Sequence, residues 1–205
     1  MSLVQSLILA TTAAIAPPDC TYDAAKLLSL PYEQFDQDLT GGWRALQYKG
    51  CTNAAAEILR RYRNEHQPLI DDARSLLAWH EGQLVAQMGD YPRAIPLLLA
   101  GVPVDDTSGF ADYALGTVAF LRRDKAELLT ARARLAGLPK PANWAEQVTV
   151  AVEGKEATFT TPWPMNLNVL DGLIACFDQP YAQAYRCNSL KRAGAVPIPA
   201  GRPNR

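Results

Sequence analysis

Apolar residues along this chain recur mainly at three- and four-residue steps, the repeat of one face of an α-helix. In "ARSLLAWHEGQLVAQM", Leu76, Ala78, Trp79, Gly82, Val85 and Ala86 keep that spacing until the polar turn "GDY" at Gly89–Tyr91. A second stripe follows at once: Ala94, Ile95, Leu98 and Leu99. Pro92 suits the first turn of that second helix, where no intrahelical amide bond is lost, and Pro96 falls early enough to be tolerated. The stretch predicts two helices joined by a tight turn.

The arrangement recurs on both sides. Upstream, Trp43 and Leu46 precede a turn at Gly50, and Ala55, Leu59 and Tyr62 follow it. Downstream, Leu115 and Gly116 precede a turn near Arg123 and Asp124, and Leu129, Ala133 and Ala136 follow with one extra turn residue. Pro- and Gly-containing breaks separate the pairs: "NEHQP" from Asn64, "GVPVDDTSG" from Gly101 and "GLPKP" from Gly137. Helices stop at such residues.

These residues resemble the tetratricopeptide repeat, a unit of about 34 residues built as helix, turn and helix. Gly82, Gly89, Asp90, Tyr91 and Ala94 fall at matching positions, and the resemblance covers about Pro31 to Pro139. It implies an all-α fold, a short α-solenoid of about three antiparallel helix hairpins, with Gly82 opposite Ala94. It also implies a concave surface lined by residues of each first helix. Those are Arg44, Gln47 and Tyr48, then Trp79 and Gln83, then Tyr113 and Thr117. Such a mixture of aromatic and hydrogen-bonding groups suits an extended peptide.

Beyond Pro141 the repeat stops. Asn143 and Glu146 have capping-box spacing, and Trp144, Val148 and Ala151 could form a helical stripe. Val148, Val150 and Val152 also alternate, and "ATFTT" follows, as in a β-hairpin. Helix is the preferred expectation. After a loop, "TPWPMN", Leu167, Leu170, Ile174 and Phe177 form one apolar face of a helix that would cap the array. The expected organisation is a signal peptide over 1–16, helical repeats over 17–139, a C-terminal helical cap over 140–190 and a mobile basic tail over 191–205.

Composition narrows the setting. At 205 residues and 48% hydrophobic, the chain can bury one medium core. A net charge of −1 gives no general attraction to nucleic acid or anionic membrane. The uncharged opening ends on Ala14-Ile15-Ala16, a signal-peptidase pattern. Its apolar run falls short of the roughly 18 to 20 residues that span a bilayer, so no stable membrane anchor is expected. Cys20, Cys51, Cys176 and Cys187 make an even count in an early and a late pair, as disulfides of an exported protein would. Their connectivity stays open. The expected location is periplasmic or secreted, or cytoplasmic if the opening segment is not cleaved.

Chemistry has little local support. "HEGQL" from His80 lacks the second histidine of a zinc-protease helix, and His66 is the only other histidine. Walker, dinucleotide and serine-hydrolase motifs are missing. Asp71-Asp72 and Asp105-Asp106 stand at helix starts or turns, where they favour the helix dipole. The expectation is a non-enzymatic interaction or scaffold module for a protein or peptide partner, without cofactor or metal. One alternative is a structural subunit of an envelope assembly that uses a flat apolar patch. The other is an enzyme assembled from distant residues, with His66, His80 and carboxylates converging.

Overall fold

The structure, a computed structural model, describes residues 17–66, 71–103, 106–152 and 155–187. The expected signal peptide and basic tail lie outside the described residues. The described chain is mostly helical. It runs α1 (Ala24–Leu28), a single π-helical turn (Glu33–Gln37), α2 (Arg44–Tyr48), α3 (Thr52–Glu65), α4 (Asp71–Gln87) and α5 (Tyr91–Ala100). There follow α6 (Phe110–Leu121), α7 (Lys125–Ala136), β1 (Gln147–Val152), β2 (Lys155–Thr160), α8 (Leu167–Ala175) and α9 (Tyr181–Ala184).

Three connections share one backbone geometry. Gly50, Gly89 and Arg123 take φ values of 84°, 86° and 61°. The next amide in each case reaches back to close the preceding helix: Cys51 N–H to Leu46 O at 2.9 Å, Asp90 to Val85 at 3.2 Å, Asp124 to Ala119 at 2.9 Å. This is the Schellman closure, which satisfies carbonyls orphaned at a helix end. Asp90 and Asp124 then cap α5 and α7 by accepting from the amides of Arg93 and Glu127 at 3.3 and 3.0 Å. Three turns between helices therefore share one backbone closure.

Helices on either side of these turns pack on each other, α4 on α5 and α6 on α7, and α3 packs on α4 as well. Gly82 permits the first of these contacts. A β-carbon there would stand 2.9 Å from Leu98 Cδ2 and 3.0 Å from Leu98 N. The close neighbour is thus Leu98 rather than the expected Ala94, which is itself fully buried. Gly116 receives Leu170 of α8 in the same way, at 2.9 Å. Leu59, Leu77, Leu84, Leu98, Phe120, Leu128, Leu135 and Leu170 form one continuous core.

The preferred helix in "NWAEQVTVAVEG", from Asn143, is overturned: β1 and β2 form an antiparallel hairpin with Val148 opposite Phe159 and Thr149 opposite Thr158. The period-two run of β-branched valines decides it, because such side chains fit a pleated surface. The Thr149 and Thr158 hydroxyls meet at 3.0 Å, and Trp144 Nε1 closes the base by donating to Thr161 O at 3.1 Å. Glu146 pairs with Lys140 rather than capping a helix. The C-terminal unit is therefore a hairpin followed by α8 and α9, not a purely helical cap. Leu170 and Leu173 are the buried face of α8.

Disulfides join Cys20 to Cys51 and Cys176 to Cys187, closing the early and late pairs on themselves. Among the described residues, no helix is long and apolar enough to cross a membrane.

Candidate functional site

The seven positions expected to line a concave surface separate into two groups. Trp79, Tyr113 and Thr117 are buried, at 3%, 2% and 0% exposure, and so offer little surface to a ligand in this conformation. Trp79 packs edge-on against Phe110 at 4.9 Å and beside Tyr113 at 5.1 Å. Thr117 returns its hydroxyl to Tyr113 O at 3.0 Å. Arg44, Gln47, Tyr48 and Gln83 keep partial exposure. Tyr48 donates its hydroxyl to Leu39 O at 2.7 Å, and Gln47 approaches Gln87 at 3.5 Å.

Tyr113 has Tyr181 and Tyr185, from the far part of the described chain, as neighbours. The segment after α8 turns back and lays α9 on α4. Tyr181 is fully buried, beside Phe120 with ring centroids 6.2 Å apart and Tyr185 at 5.5 Å. Its backbone N–H donates to Tyr91 Oη at 2.9 Å. Gln83, a neighbour of the Tyr181 phenol, donates to Tyr113 Oη at 3.3 Å, and Tyr181 Oη makes no hydrogen bond of its own within bonding distance. Burial, with the neighbouring Tyr185 phenol, pushes both Tyr113 and Tyr181 well above the usual phenol range. Residues from α4, α5 and α6 thus form one seat for an aromatic segment.

A second cluster centres on Asp36, whose side chain is fully buried. One carboxylate oxygen takes the Trp43 indole N–H at 2.8 Å and lies 2.8 Å from His80 Nδ1. The other takes the Gln37 amide at 2.7 Å. Arg44 Nη1 stands 3.8 Å from the carboxylate, donates to the Asp36 carbonyl, and its guanidinium stacks over the Trp43 ring at 4.3 Å. Burial pushes the Asp36 carboxyl up, but the hydrogen bond and charge of His80, then Arg44 and Trp43, more than offset it and hold it below the usual value. His66 does not join this group; it stacks on Tyr62 at 3.8 Å.

A third buried group is Glu81, which accepts from Arg63 at 2.8 Å and from Arg93 at 3.4 Å and so ties α3, α4 and α5 together. An open depression of about 510 Å³ lies elsewhere, against the Cys20–Cys51 bridge, with Tyr22, Asn53 and Glu57 among its lining. Among the described residues, no three His, Cys, Asp or Glu side chains converge as a metal-binding group.

Apolar spacing could not reveal Asp36, Tyr181 and Tyr185, because their partners lie far away in the chain: 44 residues separate Asp36 from His80, and 90 separate Tyr91 from Tyr181. The one available signal was "PYAQAYRC", whose two tyrosines flank the small Ala184 on one helical face. Comparison with family models, characterised proteins and solved structures returns no match. What stands is a mostly helical protein with two internal bridges.

Proposed function

We propose that this chain is a protein-interaction module: a short α-solenoid of about three tetratricopeptide-like hairpins that holds a peptide or protein partner on the face shared by α4 and α6. It acts by binding, not catalysis, and needs no cofactor. One observation carries the reading, the complete burial of Tyr181 among side chains of α4, α5 and α6. A face that accepts a short aromatic turn has the stacking rings and amide groups that peptide recognition uses. The two disulfides are compatible with an oxidising compartment, which supports a periplasmic or secreted location.

The test is photocrosslinking in intact cells, with the reactive group placed at Gln47, partly exposed beside Gln87 of α4, or at Leu129, exposed on α7. A partner captured from Gln47 alone supports the reading, and the same products from both positions, or none, remove it. Trp79 is unsuitable for this experiment because its loss would empty the core. Intact mass adds the compartment: removal of residues up to Ala16 with both bridges closed supports export, whereas Met1 retained with four free thiols overturns it.

A second reading, an acid–base enzyme, has the Asp36–His80 bond in its favour, since a carboxylate that orients an imidazole leaves the other ring nitrogen available as a base. Turnover of an ester or amide substrate that vanishes in His80→Gln would support it.

A further inference from the structure

The α9 segment is held by its seat more than by itself. It has four residues, far fewer than an isolated helix needs for stability. Only Cys176 to Pro180 connect it to α8, and the Cys176–Cys187 bridge draws its far end back to the same place. Tyr181 and Ala184 are both fully buried, so this segment enters the fold through one aromatic ring and one methyl-sized side chain. The seat supplies two kinds of contact. Phe120 of α6 provides a ring surface, and Tyr91 Oη of α5 accepts the backbone N–H of Tyr181, while Tyr185 packs on Tyr181 from within the segment. The match is incomplete, because the buried Tyr181 hydroxyl has no partner. A desolvated hydroxyl in that state is a penalty that a phenylalanine would avoid.

We infer that this seat is a ligand site in its own right, for a short segment of the form Pro-aromatic-x-x-Ala-aromatic, with residues 180–185 as its internal occupant. An external segment of the same chemistry takes the seat when the internal one is dislodged. The internal copy wins by default because the tether and the bridge give it a high effective concentration. A phenylalanine at the leading aromatic position makes the better external ligand. The inference rests on the interaction-module reading for its biological purpose and on the seat's geometry for its chemistry.

The probe is the synthetic peptide CFDQPYAQAYRC, residues 176–187 closed by their own disulfide. Its binding to the full chain is measured by calorimetry for the wild type, for Tyr181→Ala, and for Cys176→Ser with Cys187→Ser, which loosens the segment without touching its buried residues. Both variants are expected to bind the peptide at least about tenfold more tightly than the wild type, since the seat becomes available more often. The peptide with Phe in place of its first Tyr is expected to bind about tenfold more tightly again, and the peptide with Ala there not at all. Equal binding by all three chains, or by the Tyr and Ala peptides, overturns the proposal.

Hydrogen exchange on the unaltered protein gives an answer that does not depend on either variant folding. Millimolar peptide speeds exchange across residues 180–185 if the seat is contested, and unchanged exchange contradicts the proposal. Peptide binding without any crosslinked partner in cells would leave the seat standing and remove the module reading. A crosslinked partner without peptide binding would do the reverse.

Discussion

His80 Nδ1 lies 2.8 Å from the carboxylate of Asp36, and this contact pins the segment before α2 onto α4. Asp36 is fully buried and His80 partly exposed, with Trp43 and Arg44 as further partners of the carboxylate. Because the Asp36 carboxyl is held below its ordinary value of 3.8, its contribution to stability is fully present above that value and is lost as pH falls through the lower folded value. Asp36→Asn removes the anion and leaves His80 and Arg44 facing a neutral amide. The expected loss at neutral pH is about 3 kcal/mol, the scale for breaking a buried pair from one side. Denaturant unfolding across pH is the check. The variant's acid-limb slope below 3.8 should be shallower than that of the wild type, and an unchanged midpoint at neutral pH would count against the clasp.

Gly82 and Gly89 are constrained for different reasons, and alanine separates them. At Gly82 the helix tolerates a β-carbon by propensity, but Leu98 occupies the space, with its backbone nitrogen only 3.0 Å away. Overpacking of that kind costs about 1 to 3 kcal/mol, more than the gain of up to about 1 kcal/mol from replacing a helical glycine. At Gly89 the space is open and the cost is the left-handed φ of 86°, about 1 kcal/mol for an alanine. Thermal unfolding of both variants should show Gly82→Ala and Gly89→Ala each destabilised. In a double-mutant cycle, Leu98→Ala is costly in itself, about 2 to 5 kcal/mol, but should cost less in the Gly82→Ala background than in the wild type, with no such coupling to Gly89→Ala.

The helices were legible because their apolar stripes keep one period, and two of the three tight turns because Gly50 and Gly89 mark a positive φ. The third was placed near Arg123 and Asp124 by apolar spacing, but its positive φ falls on Arg123, a residue type that does not announce one. The hairpin was ambiguous because Val148 fits both a helical stripe with Trp144 and a strand with Val150 and Val152, and short runs satisfy either period. Exposure was not legible: Trp79, Tyr113 and Thr117 are buried where the repeat resemblance implied an open surface. Gln83 and Tyr113 do face one region, yet whether that region is open depends on where α9 arrives. That in turn depends on contacts made 70 or more residues away in sequence, which no local pattern encodes.

The two bridges should differ in worth. Cys20–Cys51 spans 31 residues and Cys176–Cys187 spans 11. In the chain-entropy account the longer loop stabilises by about 3.7 kcal/mol and the shorter by about 2.8 kcal/mol, as upper values. Paired Cys→Ser replacement of the early bridge should therefore lower the denaturant midpoint more than replacement of the late one. Local exchange should separate them further: loss of the late bridge is expected to raise exchange in α9 and leave α3 unchanged.

Tyr181 gives the sharpest contrast, because its ring and its hydroxyl act in opposite directions. The ring fills the seat beside Phe120, so Tyr181→Ala should cost about 3 to 5 kcal/mol, as loss of a buried aromatic does. The hydroxyl is desolvated without a partner, so Tyr181→Phe should raise stability by about 1 kcal/mol. Alkaline titration tests the same point independently. Burial holds the Tyr181 phenol well above its ordinary value of 10.0, so the unfolded chain loses that proton first and stability falls as pH rises past 10.0. Removing the hydroxyl should flatten that decline in part, the remainder being shared among Tyr113, Tyr32, Tyr48 and Tyr62, whose phenols burial also raises. A fall in melting temperature for Tyr181→Phe at neutral pH would mean that the hydroxyl is bonded in solution, and the incomplete match on which a better external ligand depends would be gone.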